Sequence, residues 1–144
     1  YAFPSLELNF NPQNPLPSLS SMMNDTHLDQ VNEEGTVRIS RSFAEVPPVF
    51  VYRFTRLEGV YVNRTEVDVP LYQEILATNG HQGMLQLQGF IRHSGGANGG
   101  HYVSYIAQQG KFWLLNDEKV SAISAADYLL AARHATAALY SRVA

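Results

Sequence analysis

The sequence predicts an α+β domain dominated by a twisted antiparallel sheet with few helices. Three observations predict it. Runs rich in β-branched and aromatic residues recur along the chain and are separated by short connections of Gly, Pro and Asn. Successive strands with short connections pair antiparallel more readily than through crossovers. Only residues 124–133 carry a strong helix signal. No internal repeat and no linker divides the chain, so residues 1–144 read as one domain.

Residues 1–17 hold four prolines and read mostly as loop, with Leu6-Glu7-Leu8 as a short strand. A helix starts within residues 18–27, with Ser18 or Ser20 as its cap and Leu19, Met22 and Met23 on one face. Glu33-Glu34-Gly35 reads as a turn. Residues 36–43 alternate, turning Val37, Ile39 and, after a slip, Phe43 inward. Pro47-Pro48 leads into residues 49–54, a buried strand by composition. Residues 60–62 and 66–69 are shorter strands around an Asn63-Arg64 turn, and residues 71–76 read as one helical turn.

Residues 84–93 form the next long strand, and the glycine-rich stretch 94–100 is a mobile loop by composition. Residues 101–107 and 111–115 form a hairpin around Gly110. The helix over 124–133 has Ser124 as cap and Asp127 at the third position in place of Glu. Residues 135–143 close the chain as a strand.

Hydrophobic residues make up 45% of the chain and charged residues 16%, a globular composition. The net charge of −3, with no basic run longer than two residues, argues against binding nucleic acid through its phosphates. No apolar run approaches a membrane span and no secretory segment is present, so no membrane partner is expected and the expected location is the cytoplasm or nucleus. The absence of cysteine excludes a disulfide framework and a thiolate zinc site. The chain begins at Tyr1 rather than Met, the expectation for an excised or processed fragment.

The chemistry concentrates at His101. Four glycines among residues 94–100 precede it, and Asn116-Asp117 lies at the end of the following strand. The hairpin brings His101 and Asn116 side by side, as the base and orienter of a nucleophilic triad whose nucleophile this cysteine-free chain lacks. Each feature alone has an ordinary reading: a histidine bonded to a carbonyl, a turn-forming Asn-Asp, a flexible connection. Together they favour a site. His27, His81, His93 and His134 show no metal-ligand spacing and read as structural or surface residues. Phe112 and Trp113 read as core. The glycine-rich loop lacks the Lys and Ser/Thr of a P-loop, so it is not expected to bind phosphate.

Gly99-Gly100-His101-Tyr102-Val103-Ser104-Tyr105, the Gly110-Lys111-Phe112-Trp113 hairpin, Asn116-Asp117, Lys119-Val120 and Ala137-Ala138-Leu139-Tyr140 resemble the histidine box of ubiquitin-specific proteases. Residues 46–56 are similar to that family's Pro-Pro and buried-strand segment, and residues 87–95 to the strand entering the loop before its histidine. The resemblance spans about residues 36–143. It implies the palm and fingers of a papain-like cysteine protease, the C-terminal portion of a catalytic domain whose cysteine-bearing N-terminal subdomain is missing here. By position, His101 is the general base, Asn116 orients it, and Asp117 is an assisting polar neighbour.

The resemblance also places Gly99, Gly100, Tyr102 and Tyr105 along the ubiquitin tail. Ubiquitin ends in Gly-Gly, so a narrow glycine-lined channel would reject bulkier tails. The implied reaction is hydrolysis of the isopeptide bond after ubiquitin's terminal glycine. Implied partners are ubiquitin or a ubiquitinated protein, together with the missing segment or a partner chain. No cofactor is implied, and the Cys-x-x-Cys zinc motifs of many members are absent. The alternatives are an inactive pseudo-protease serving as a binding scaffold and, last, an unrelated β-rich domain.

Overall fold

The computed structural model describes residues 5–10, 17–25, 43–96 and 98–143. The expected turn at residues 33–35 and the strand at 36–43, apart from Phe43, lie outside them. In chain order the elements are β1 (Ser5–Leu8), α1 (Leu19–Asp25), β2 (Val49–Phe54), β3 (Leu57–Glu58), β4 (Tyr61–Val62), β5 (Tyr72–Leu76), β6 (Gln82–Ser94), β7 (His101–Gln108), β8 (Lys111–Asn116), β9 (Lys119–Ile123), α2 (Ala125–Ala132) and β10 (Ala135–Arg142).

The main sheet has the order β1-β2-β10-β6-β7-β8-β9, with β5 pairing the first part of β6, while β3 and β4 form a separate two-stranded ribbon. The expected α+β class with a twisted, sheet-dominated architecture stands, with one departure from antiparallel pairing. β1 runs parallel to β2, with Leu8 opposite Phe54. A parallel neighbour needs a long connection, and 40 residues separate Leu8 from Val49.

Three local readings are corrected. Residues 72–76 are a strand, not a helical turn, because they pair in register with β6 from Tyr72–Gln86 to Leu76–Gln82. Residues 66–69 form no strand; Val67 and Val69 are buried, and Asp68 makes an isolated bridge to Ser18. β2 is not buried on both sides: Phe50, Tyr52 and Phe54 face the core while Arg53 is exposed. β9 carries no clear strand pattern in the sequence.

The helices follow their caps. Ser18 Oγ accepts from Ser21 N at 3.2 Å, and Ser18 N donates to Ser21 Oγ at 2.9 Å, a reciprocal lock at the start of α1. Leu19, Met22 and Met23 then enter the core. Ser124 Oγ accepts from Asp127 N at 3.1 Å, and α2 turns Tyr128, Ala131 and Ala132 inward. The core is rich in tyrosine. Tyr140 donates to the Pro70 carbonyl at 2.5 Å, and Tyr52 to Gln73 Oε1 at 2.7 Å. The Tyr128 hydroxyl is buried without a partner among the described residues. Burial pushes all three phenols well above their ordinary pKa.

Candidate active site

Two strand ends form the site. β7 leaves the glycine-rich loop at His101, paired with Ser94 of β6. It returns as β8 through Gln109 and Gly110, both at positive φ (53° and 74°), the backbone of a two-residue type I′ hairpin. β8 ends at Asn116, which pairs with Lys119 of β9 across a turn where Asp117 has φ 53°.

His101 Nε2 lies 2.6 Å from Asn116 Oδ1. An amide oxygen only accepts, so this contact places the proton on Nε2 and leaves the Nδ1 lone pair free. Asp117 Oδ2 stands 3.8 Å from the same Nε2; the His101 side chain is 45% exposed and that of Asp117 78%. The three residues therefore form one cluster around a partly exposed imidazole. Such a group can take a proton from a nucleophile brought to it from outside.

The loop before His101 is braced at both ends. Gly95 has φ 101°, and its carbonyl accepts from Arg64 Nη2 at 2.7 Å. Gly100 lies against His93: a Cβ there would collide with the imidazole and with the Ser94 carbonyl. Gly99 has open space around it. Arg64 and His93 were not singled out as site residues in the sequence. Their contribution depends on tertiary proximity, for which local pattern carries no signal.

The two tyrosines separate. Tyr102 is exposed, its ring centroid 4.7 Å from that of His93, and strand alternation points it to the sheet face opposite His101. Tyr105 does not reach the surface beside His101. It is 8% exposed and stacks on Phe90 at 4.6 Å within the core.

Next to the loop lies a cavity of about 60 Å³ lined by Arg56, Arg64, Arg92, His93, Tyr102 and His134, among others. Arg56 is 6% exposed. It donates to the carbonyls of Ala135 (2.7 Å), Thr65 (2.7 Å), Asn63 (3.2 Å) and Arg133 (3.1 Å), with the rings of Phe10 and Phe54 over its guanidinium. Burial, then repulsion from Arg92, pushes it down to about 10. His134 Nε2 is 3.3 Å from Glu66 Oε1. Burial and Arg92 nonetheless hold that imidazole below its ordinary pKa.

Three solved structures are similar to this one across nearly the whole chain. The Ubp8/Sgf11/Sus1/Sgf73 DUB module of SAGA matches with a TM-score of 0.78 at 20% identity over 97% of this chain and 33% of that one. A yeast SAGA DUB module carrying a Sgf73 variant matches at 0.75 and 17% over 98% and 34%. The Ubp8 module bound to ubiquitin aldehyde matches at 0.74 and 18% over 98% and 36%. These likenesses establish the fold, and the chain spans about a third of the length of each match. No curated protein matches the chain. The pattern of the ubiquitin carboxyl-terminal hydrolases matches residues 8–140, from β1 through β10, and the chain belongs to that family.

Proposed function

We propose that this chain is the base-bearing portion of a cysteine-type deubiquitinase, with the thiol supplied from outside these residues by the same polypeptide or by a partner chain. The observation that carries the reading is the 2.6 Å contact of His101 Nε2 with Asn116 Oδ1, which leaves Nδ1 as the proton acceptor. In this reading Nδ1 takes the thiol proton, and the thiolate attacks the carbonyl of ubiquitin's terminal glycine. The imidazolium returns the proton to the departing lysine amine, leaving an acyl-thioester. His101 then deprotonates water for hydrolysis. An amide orienter suits this chemistry, because a thiolate–imidazolium pair is already ionised and needs orientation more than a counter-charge.

Gly99 and Gly100 line the tail in this reading, and the open space around Gly99 leaves room for it. Asp117 assists from 3.8 Å. Structural neighbours bound to monoubiquitin and to ubiquitin aldehyde support ubiquitin as the substrate.

The test treats the full-length protein with ubiquitin carrying a thiol-reactive C-terminal group. A covalent adduct, and turnover of a ubiquitin–fluorophore substrate that His101→Ala lowers by about 10²–10⁴-fold, are the expected results. A folded, ubiquitin-binding protein that forms no adduct would establish the scaffold role instead.

A further inference from the structure

The cavity beside the loop gathers cationic side chains that find little opposite charge among the described residues. Three guanidiniums, Arg56, Arg64 and Arg92, and two imidazoles, His93 and His134, line about 60 Å³. Glu66 is the carboxylate beside this group among the described residues, 3.3 Å from His134 Nε2. Arg56 is 6% exposed and spends four N–H groups on carbonyl oxygens, with no carboxylate on it among the described residues. The Arg92 side chain makes no hydrogen bond or ion pair with the described residues; its effect on Arg56 and His134 is repulsive.

A buried charge without a counter-ion is costly, and a second cation facing it adds to the cost. The remedy elsewhere in proteins is a group of opposite sign, and the guanidinium fork fits an oxyanion with two parallel hydrogen bonds. We propose that this cavity binds one oxyanion, of phosphate or carboxylate type, with Arg92 as its principal ligand and Arg64 at its side. The small volume suits one such group and excludes a nucleotide. The cavity borders the glycine-rich loop at Ser94. Arg64 links the two: its guanidinium also holds the Gly95 carbonyl at 2.7 Å, so an anion on Arg64 bears on the loop that leads to His101.

The experiment titrates the full-length protein with inorganic phosphate by calorimetry, with ionic strength held constant by chloride. Saturable binding is expected. Arg92→Gln should weaken it about tenfold, the loss of one charge-assisted contact. Arg53→Gln removes the same charge from an exposed position on β2 and should leave it unchanged. Acetate serves as the second probe: binding of acetate as well as phosphate identifies a carboxylate-type site, and binding of phosphate alone a dianion site. If Arg92→Gln does not fold, Arg64→Gln, an exposed position, is read in the same way. Heats no larger than in chloride alone, or a folded Arg92→Gln or Arg64→Gln protein that binds phosphate as tightly as the parent, would overturn the proposal. Because the readout is binding and not turnover, either result leaves the hydrolase reading untouched.

Discussion

His101 and Asn116 meet at 2.6 Å beyond the end of the ladder that joins their strands. The β7–β8 pairs run only from Gln108–Lys111 to Ser104–Leu115. Each residue is held instead by its outer neighbour, His101 by Ser94 of β6 and Asn116 by Lys119 of β9. Four consecutive strands thus aim one imidazole.

That arrangement separates the two roles by magnitude. His101→Ala removes the base and should lower turnover of a ubiquitin–fluorophore substrate by about 10²–10⁴-fold. Asn116→Ala leaves the base and loosens its aim, which should cost about a hundredfold. Steady-state rates of the full-length enzyme check both, and an Asn116→Ala loss as deep as that of His101→Ala would contradict an orienting role.

Gly100 and His93 form a coupled pair. Gly100→Ala forces its methyl group into the His93 imidazole and the Ser94 carbonyl, so it should sharply reduce turnover while the protein stays folded. Adding His93→Ala removes the side-chain half of the collision but not the backbone half. The double variant should therefore recover part of the loss and not all of it, which a double-mutant cycle measures directly.

Two buried tyrosines should respond oppositely to loss of the hydroxyl. Tyr140→Phe removes the hydrogen bond to the Pro70 carbonyl and should cost about 1 kcal/mol in urea unfolding. Tyr128 has no hydrogen-bond partner among the described residues, so Tyr128→Phe removes an unmet polar group and should be neutral or stabilising. A cost for Tyr128→Phe equal to that for Tyr140→Phe would show that its hydroxyl is satisfied.

Acid should act on stability through His134. Burial, and Arg92 after it, hold its folded-state pKa below the ordinary value of 6.5, with Glu66 opposing them. The unfolded chain therefore takes up the proton first as pH falls. The contribution of neutral His134 is complete above about pH 6.5 and is lost progressively below it, until the folded form protonates too. Unfolding midpoints at pH 7.5 and pH 5.5 should differ, and His134→Gln should narrow the difference. An unchanged difference in the variant would place the acid sensitivity elsewhere.

Where pattern and pairing agreed, the sequence was legible. Residues 101–115 show alternation, a glycine turn and an Asn at the strand end, and all three depend on neighbours close in the chain. The helix over Ala125–Ala132 was legible for the same reason, since Ser124 and Asp127 state its start locally. Residues 71–76 were not legible: Leu71 and Ile75 fit a helical spacing as well as a strand, and pairing with β6 decided between them. Val67 and Val69 alternate like a strand yet have almost no ladder to join. The stacking of Tyr105 on Phe90, 15 residues away in sequence, is likewise beyond any local pattern. Arg64 and His93 acquire their place from a loop that closes over them, which no local pattern encodes.

The position of β10 between β2 and β6 governs assembly during synthesis. β2 and β6 share no hydrogen bonds of their own in the sheet, so emerging chain can build the β6–β9 meander and the β1–β2 pair only as separate pieces. They fuse when residues 135–142 clear the ribosome and slide between them. Until then the facing edges of β2 and β6 are both open to foreign strands, and a stall or premature stop in α2 would release a molecule with two exposed seams.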